Sequence, residues 1–91
     1  MTNVAYYSAC TEYEAGWGVR PDGYIVCLNK EFLQAKVTEL NNRPRSQHGW
    51  DTYDKPKLCI VTEEMWNKLT SNPEHGYVWA PNNRSTWVVE E

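Results

Sequence analysis

The chain has 91 residues, five of them tryptophan and six tyrosine, and a formal charge of −3. A single domain of this size buries roughly 60–65% of its unfolded surface, so the aromatic rings must carry much of a small core. The acidic balance excludes a general nucleic-acid binder, which shows a basic excess, and no run of about 18 apolar residues is present to cross a membrane.

The opening stretch, MTNVAYYSAC, lacks the basic-then-apolar pattern of a secretory signal. NVAYYSA (3–9) reads as a strand. TEYEAGWGVRPDGY (11–24) reads as a hairpin connection with an elaborated tip, closed by a β-turn at Arg20-Pro21-Asp22-Gly23. GYIVCL (23–28) is an almost continuous apolar run, as expected of a strand covered on both faces. Asn29 is placed to cap the helix KEFLQAKVTELNN, with Leu33, Val37 and Leu40 on one face and Phe32 beside it. That helix should stop by Arg43-Pro44. Residues 43–56 show no periodicity and read as a long loop.

KLCIV (57–61) is a second buried strand, and Thr62 caps EEMWNKLTSN, whose apolar face is Met65, Trp66 and Leu69. Asn72-Pro73 ends this helix. GYVWA (76–80) and STWVVE (85–90) are strands around the turn sequence PNNR. The order β-β-α-β-α-β-β predicts one α+β domain over residues 1–91, with about five strands in a mixed sheet and two helices on one face. Leu33, Val37, Leu40, Ile60, Met65, Trp66 and Leu69 should then share one core beneath the sheet. IVCLNKEFL and LCIVTEEMW repeat one strand-to-helix pattern. If their strands run parallel, both helices begin at the same edge of the sheet.

Three loops share one palette. Trp17 stands between Gly16 and Gly18, with Arg20 close by; RSQHGW offers Arg45, His48 and Trp50; PNNRSTW offers Asn82, Asn83 and Arg84. Arg, Asn, Ser and Trp supply an anion clamp, amide donors and acceptors, hydroxyls and a stacking face, the inventory a nucleotide requires. Each also has an ordinary use: Trp17 as a plug for the core, Asn-Asn as a turn dipeptide. At the second helix N-terminus, Glu63 and Glu64 already complement the dipole that an anion would use.

Catalysis finds no comparable constellation. Cys10, Cys27 and Cys59 are odd in number and widely spaced, which fits reduced thiols of a cytosolic protein. A thiolate pair of Cys10 or Cys59 with His48 or His75 has no local support, and the cysteines on strands read as small core hydrophobes. Zinc-ligand spacing and phosphate-binding glycine patterns are both missing, so neither a metal nor a cofactor is expected. Glu12, Glu14 and Asp22 read as a solvated rim, or as groups that orient Arg20, rather than as an acid–base pair.

YEAGWGVRPDGY, PKLCIVTEE and NNRSTWVV together resemble small accessory proteins of tailed bacteriophages. That resemblance implies action against host defence, in the host cytoplasm, and carries over no binding residue. Two expectations follow. In the first, the protein sequesters a cyclic-nucleotide or cyclic ADP-ribose signal without transforming it. Trp17 would stack, Arg20 and Arg84 would pair phosphates, and Asn82 and Asn83 would read polar edges. Arg45, His48 and Trp50 would complete a pocket formed in a homo-oligomer. In the second, it is an anti-CRISPR-like inhibitor that uses the same Trp, Tyr and Arg residues as hot spots against a host protein. Convergence in a cleft favours the first, and spread over a surface the second.

Overall fold

Strand β1 (Val4–Glu14) is the spine of a six-stranded sheet. The computed structural model describes residues 3–14, 16, 18–44, 49–71 and 76–90. On one side β1 takes β2 (Gly18–Cys27), paired from Tyr6 opposite Cys27 to Glu14 opposite Gly18 with one shift of register. The other side takes two strands end to end: β3 (Gly49–Tyr53) along Cys10–Glu14 and β4 (Lys57–Val61) along Val4–Tyr7. Outermost lie β5 (Val78–Ala80), beside β2, and β6 (Val88–Glu90), beside β4.

The α+β class and the expected element order hold, with β3 as an additional strand. Every strand pairing is antiparallel, where a mixed sheet was expected. Because β2 and β4 both run against β1, they point the same way. Helices α1 (Lys30–Asn41) and α2 (Glu63–Ser71) therefore begin at the same edge of the sheet. Each starts on its expected cap: Asn29 Oδ1 accepts from the Phe32 N–H at 2.9 Å, and Thr62 Oγ1 from the Met65 N–H at 3.2 Å.

The helices cover opposite faces, which corrects the expectation of one shared face and one core. Leu33 and Val37 of α1 pack with Ile25 and Cys27, flanked by Tyr6, Leu40 and Tyr53. Met65 and Leu69 of α2 pack with Ala5, Tyr7, Val26 and Trp87, flanked by Trp66. Side chains alternate along a strand, so the unbroken apolar run of β2 loads both faces and each face needs its own cover. Ile60 is half-buried and joins neither cluster.

PNNR is not a hairpin turn, because β5 and β6 lie on opposite edges of the sheet. The segment carries the chain across the α2 face, and Trp87 at its end is buried there. Its ring lies 5.8 Å from Tyr7 and 5.4 Å from Tyr24, and its Nε1–H donates to the Pro81 carbonyl at 3.0 Å.

Arg20-Pro21-Asp22-Gly23 is likewise strand, not turn. Cys10 faces Gly23 and Thr11 faces Pro21, so Asp22 is the extra residue of a β-bulge. Across β1, residues 54–56 link β3 to β4 against only Ser8 and Ala9, which is a second one-residue excess. The Ser8 hydroxyl donates to the Asp54 carbonyl at 2.6 Å and the Asp54 N–H to the Ala9 carbonyl at 3.0 Å, holding this irregularity in place. Beyond it, Thr11–Glu14 and Gly18–Asp22 contain no fully buried residue, so the outer sheet is an arm. No helix among the described residues is long and apolar enough to cross a membrane.

The two α1 leucines should separate in urea unfolding. Leu33 is fully buried and Leu40 only half-buried, so Leu33→Ala should cost about 2–5 kcal/mol and Leu40→Ala clearly less. Equal costs would place Leu40 as deep in the core as Leu33.

Candidate functional site

The arm sorts its residues into cross-strand rows, because directly opposed residues of antiparallel strands share a face. One face carries the row Arg20–Glu12–Asp51 and the other the row Val19–Tyr13–Trp50. In the polar row Arg20 reaches Glu14 at 2.8 Å and Glu12 at 3.4 Å, while its side chain stays 66% exposed. In the apolar row Trp50 stacks on Tyr13, centroids 5.3 Å apart and planes 8° from parallel.

Where the polar face meets the bulge, Cys10, Asp22 and Asp51 bring one donor atom each within 4.8 Å of one another. A thiolate and two carboxylates form a donor set that a divalent cation can use. The thiol here resists ionisation: burial above all pushes it up to about 11, against the opposing effect of its hydrogen bond with Tyr53. Asp51, Asp22 and Glu12 add to the upward shift. A thiol protonated at neutral pH is a weak nucleophile. Burial also raises the Asp51 carboxyl, helped by Asp22 and Glu12, and raises the Tyr53 hydroxyl. No local motif announces this group, since three strands supply it and only their register joins them.

A cleft of about 350 Å³ lies between the end of α1 and β3, with Leu40, Asn41, Arg43 and Pro44 on one wall and residues 49–53 on the other. Asn41 bridges its inner end. Its amide donates to the Tyr53 carbonyl and accepts from the Tyr53 N–H, both at 2.9 Å, as a peptide group of a neighbouring strand would. Arg43 is held by Glu39 at 3.8 Å.

Of the residues proposed from sequence, Trp17, Arg45 and His48 lie outside the described residues. Trp50 borders the cleft, and Arg20 sits in the outer part of β2 with its carboxylates. The rest occupy the crossing segment. Asn82 donates to the Pro21 carbonyl at 2.9 Å. Asn83 caps the 3-10 turn Arg84–Thr86, its Oδ1 accepting from the Ser85 hydroxyl at 2.6 Å. Arg84 donates to the Tyr7 hydroxyl at 2.8 Å and lies 5.7 Å from that ring's centre. These five described residues are thus spread over the arm and the crossing segment. Comparison with protein-family models, curated proteins and solved structures finds no match for this chain.

Two outcomes follow from these contacts. Arg84→Ala should cost about 1–2 kcal/mol in urea unfolding, the worth of a cation–π contact with a hydrogen bond to the buried Tyr7. An unchanged midpoint would free Arg84 from any structural role. Asp51 has a folded-state pKa above its ordinary 3.8, so its ionised form weakens the fold at neutral pH. That penalty fades as pH falls through the raised value and is gone below the ordinary one. Asp51→Asn should therefore raise the unfolding midpoint at pH 7, with the gain vanishing below about pH 4. A gain independent of pH would remove charge as its cause.

Proposed function

We propose that this protein acts by binding another protein, without catalysis and without sequestering a nucleotide. The observation that carries this reading is the dispersal of Arg20, Trp50, Asn82, Asn83 and Arg84, the candidates among the described residues, over the arm and the crossing segment. Arg20 and Arg84 are the phosphate clamps that a nucleotide site would need. The first is engaged by two carboxylates and the second lies against Tyr7. Tyr13 and Trp50 instead form a stacked, half-exposed aromatic pair on an extended arm, the kind of residue that anchors protein interfaces. With the resemblance to small phage proteins, the partner is a component of host defence and the place of action the host cytoplasm.

A second reading keeps a small ligand. The cleft beside Trp50 is at the lower end of the size range of small-molecule sites, and Arg45 and His48 fall in the chain between its two walls.

Native mass spectrometry of protein purified from defence-active cells, before and after denaturation, separates the two. The expected result is the bare chain mass, no heat on titration with cyclic dinucleotides or cyclic ADP-ribose isomers, and one host protein retained stoichiometrically by the immobilised chain. Trp50→Ala should weaken that retention by roughly tenfold or more. A nucleotide released on denaturation would replace this reading with the second.

A further inference from the structure

We infer that the outer edge of β3 accepts an added strand from the partner, an extended segment with a lysine or arginine placed opposite Asp51 and apolar residues on either side of it. This inference rests on the protein-binding reading.

The ladder shows which backbone groups are open. Asp54 donates to Ala9 of β1, and Tyr53 turns its N–H and C=O outward to Asn41. Inward and outward residues alternate along an antiparallel strand, so Thr52 and Trp50 bond to β1 while Asp51 and Gly49 face away from it. Among the described residues, nothing takes the outward groups of Asp51. Asn41 has already begun the pattern at Tyr53 with a side-chain amide. An added strand would continue it along the cleft, with Asp51 and its opposite residue exchanging both backbone hydrogen bonds.

Charge decides the occupant. The row across the arm runs Arg20, Glu12, Asp51, and then ends at the open edge. Two carboxylates stand directly opposite each other in neighbouring strands, an unfavourable pair, and Asp22 adds a third close by. Arg20 answers Glu12 and Glu14 from one side only. A cation on a strand beyond β3 would answer Asp51 from the other and alternate the row to its end. Paired through β3, a second copy of this chain offers no such cation. Pairing two β3 strands with Asp51 opposite Asp51 joins like charges and needs the Tyr53 groups that Asn41 holds. Placing Gly49 opposite Asp51 leaves the carboxylate unanswered. On the reverse face, the residues flanking the added cation would come against Trp50, whose ring is fixed by Tyr13. The recognised pattern is therefore apolar–basic–apolar in an extended chain.

The probe is the peptide acetyl-Thr-Ser-Val-Arg-Val-Ser-Thr-amide, followed by amide NMR shifts and fluorescence polarisation with the full chain. Shifts should concentrate at Gly49–Asp51. Affinity should fall roughly tenfold when the central arginine is replaced by glutamate, and also when its backbone nitrogen is methylated. Asp51→Lys should lose the arginine peptide and gain the glutamate peptide, a reversal that simple unfolding cannot produce; circular dichroism checks the fold. Binding indifferent to both charge swaps, shifts elsewhere, or self-association through β3 would overturn the inference. A host protein retained equally by parent and Asp51→Lys would sink this edge while leaving the protein-binding reading intact. Retention of no host protein would sink that reading itself.

Discussion

The strands on both sides of β1 carry one residue too many at the same level. Asp22 on β2 and the link between β3 and β4 both fall beside the stretch from Ser8 to Thr11. A single bulge twists one strand; two, flanking a central strand, bend the sheet there. The consequence is a division of labour along β1. Its first half, with Ala5, Tyr6 and Tyr7, feeds the two cores under the helices. Its second half leaves them and supports an arm. Ser8, buried at the junction, spends its hydroxyl on the irregular carbonyl of Asp54, which a packed core could not leave unsatisfied. The arm, its polar row and its open edge all depend on this bend.

Legibility in the sequence followed the range of the interaction. Both helices were readable because their signals are local: Asn29 and Thr62 as caps, and an apolar stripe behind each. Strands β2 and β4 were readable as apolar runs. β3 was not. Gly49 and Pro56 bracket it, and its residues Gly-Trp-Asp-Thr-Tyr alternate too briefly to stand out. Pro21 and Gly23 similarly disguised a bulged strand as a turn. Their backbone suits either, and only the length of β1 opposite them decides. The distribution of helices over two faces was implicit in the unbroken run from Ile25 to Cys27. Both faces of β2 were apolar, and a single layer of helices covers only one.

The candidate site was legible only in part. Trp50 stands out in the sequence by its ring, whereas its neighbour Asp51 reads as loop. Asp51 gains its meaning from Glu12 and Arg20, which are distant in sequence and adjacent in register. Asn82, Asn83 and Arg84 read in the sequence as polar side chains in a turn. Their side chains meet backbone and side-chain groups that the crossing from β5 to β6 brings near. Composition marks residues able to bind. It does not separate those that bind a partner from those that bind the chain itself.

Edges complete the physical picture. A sheet that is not closed must manage its unpaired backbone groups, and short edge strands are one common means. β5 and β6 are three residues each, while β3 has five and lies along the arm. Two devices act on β3. Asn41 occupies the groups of Tyr53 at its inner end, and Asp51 places a carboxylate on the remainder. An acidic residue on an edge discourages pairing with identical or equally acidic chains, which matters for a molecule with a net charge of −3. The same residue does not discourage a basic strand. A carboxylate already crowded by Glu12 and Asp22 gains more from a cation than an isolated one would. In the proposed pairing, protection against self-association and selection of a partner would thus come from one side chain, and from the row of charges that leads to it.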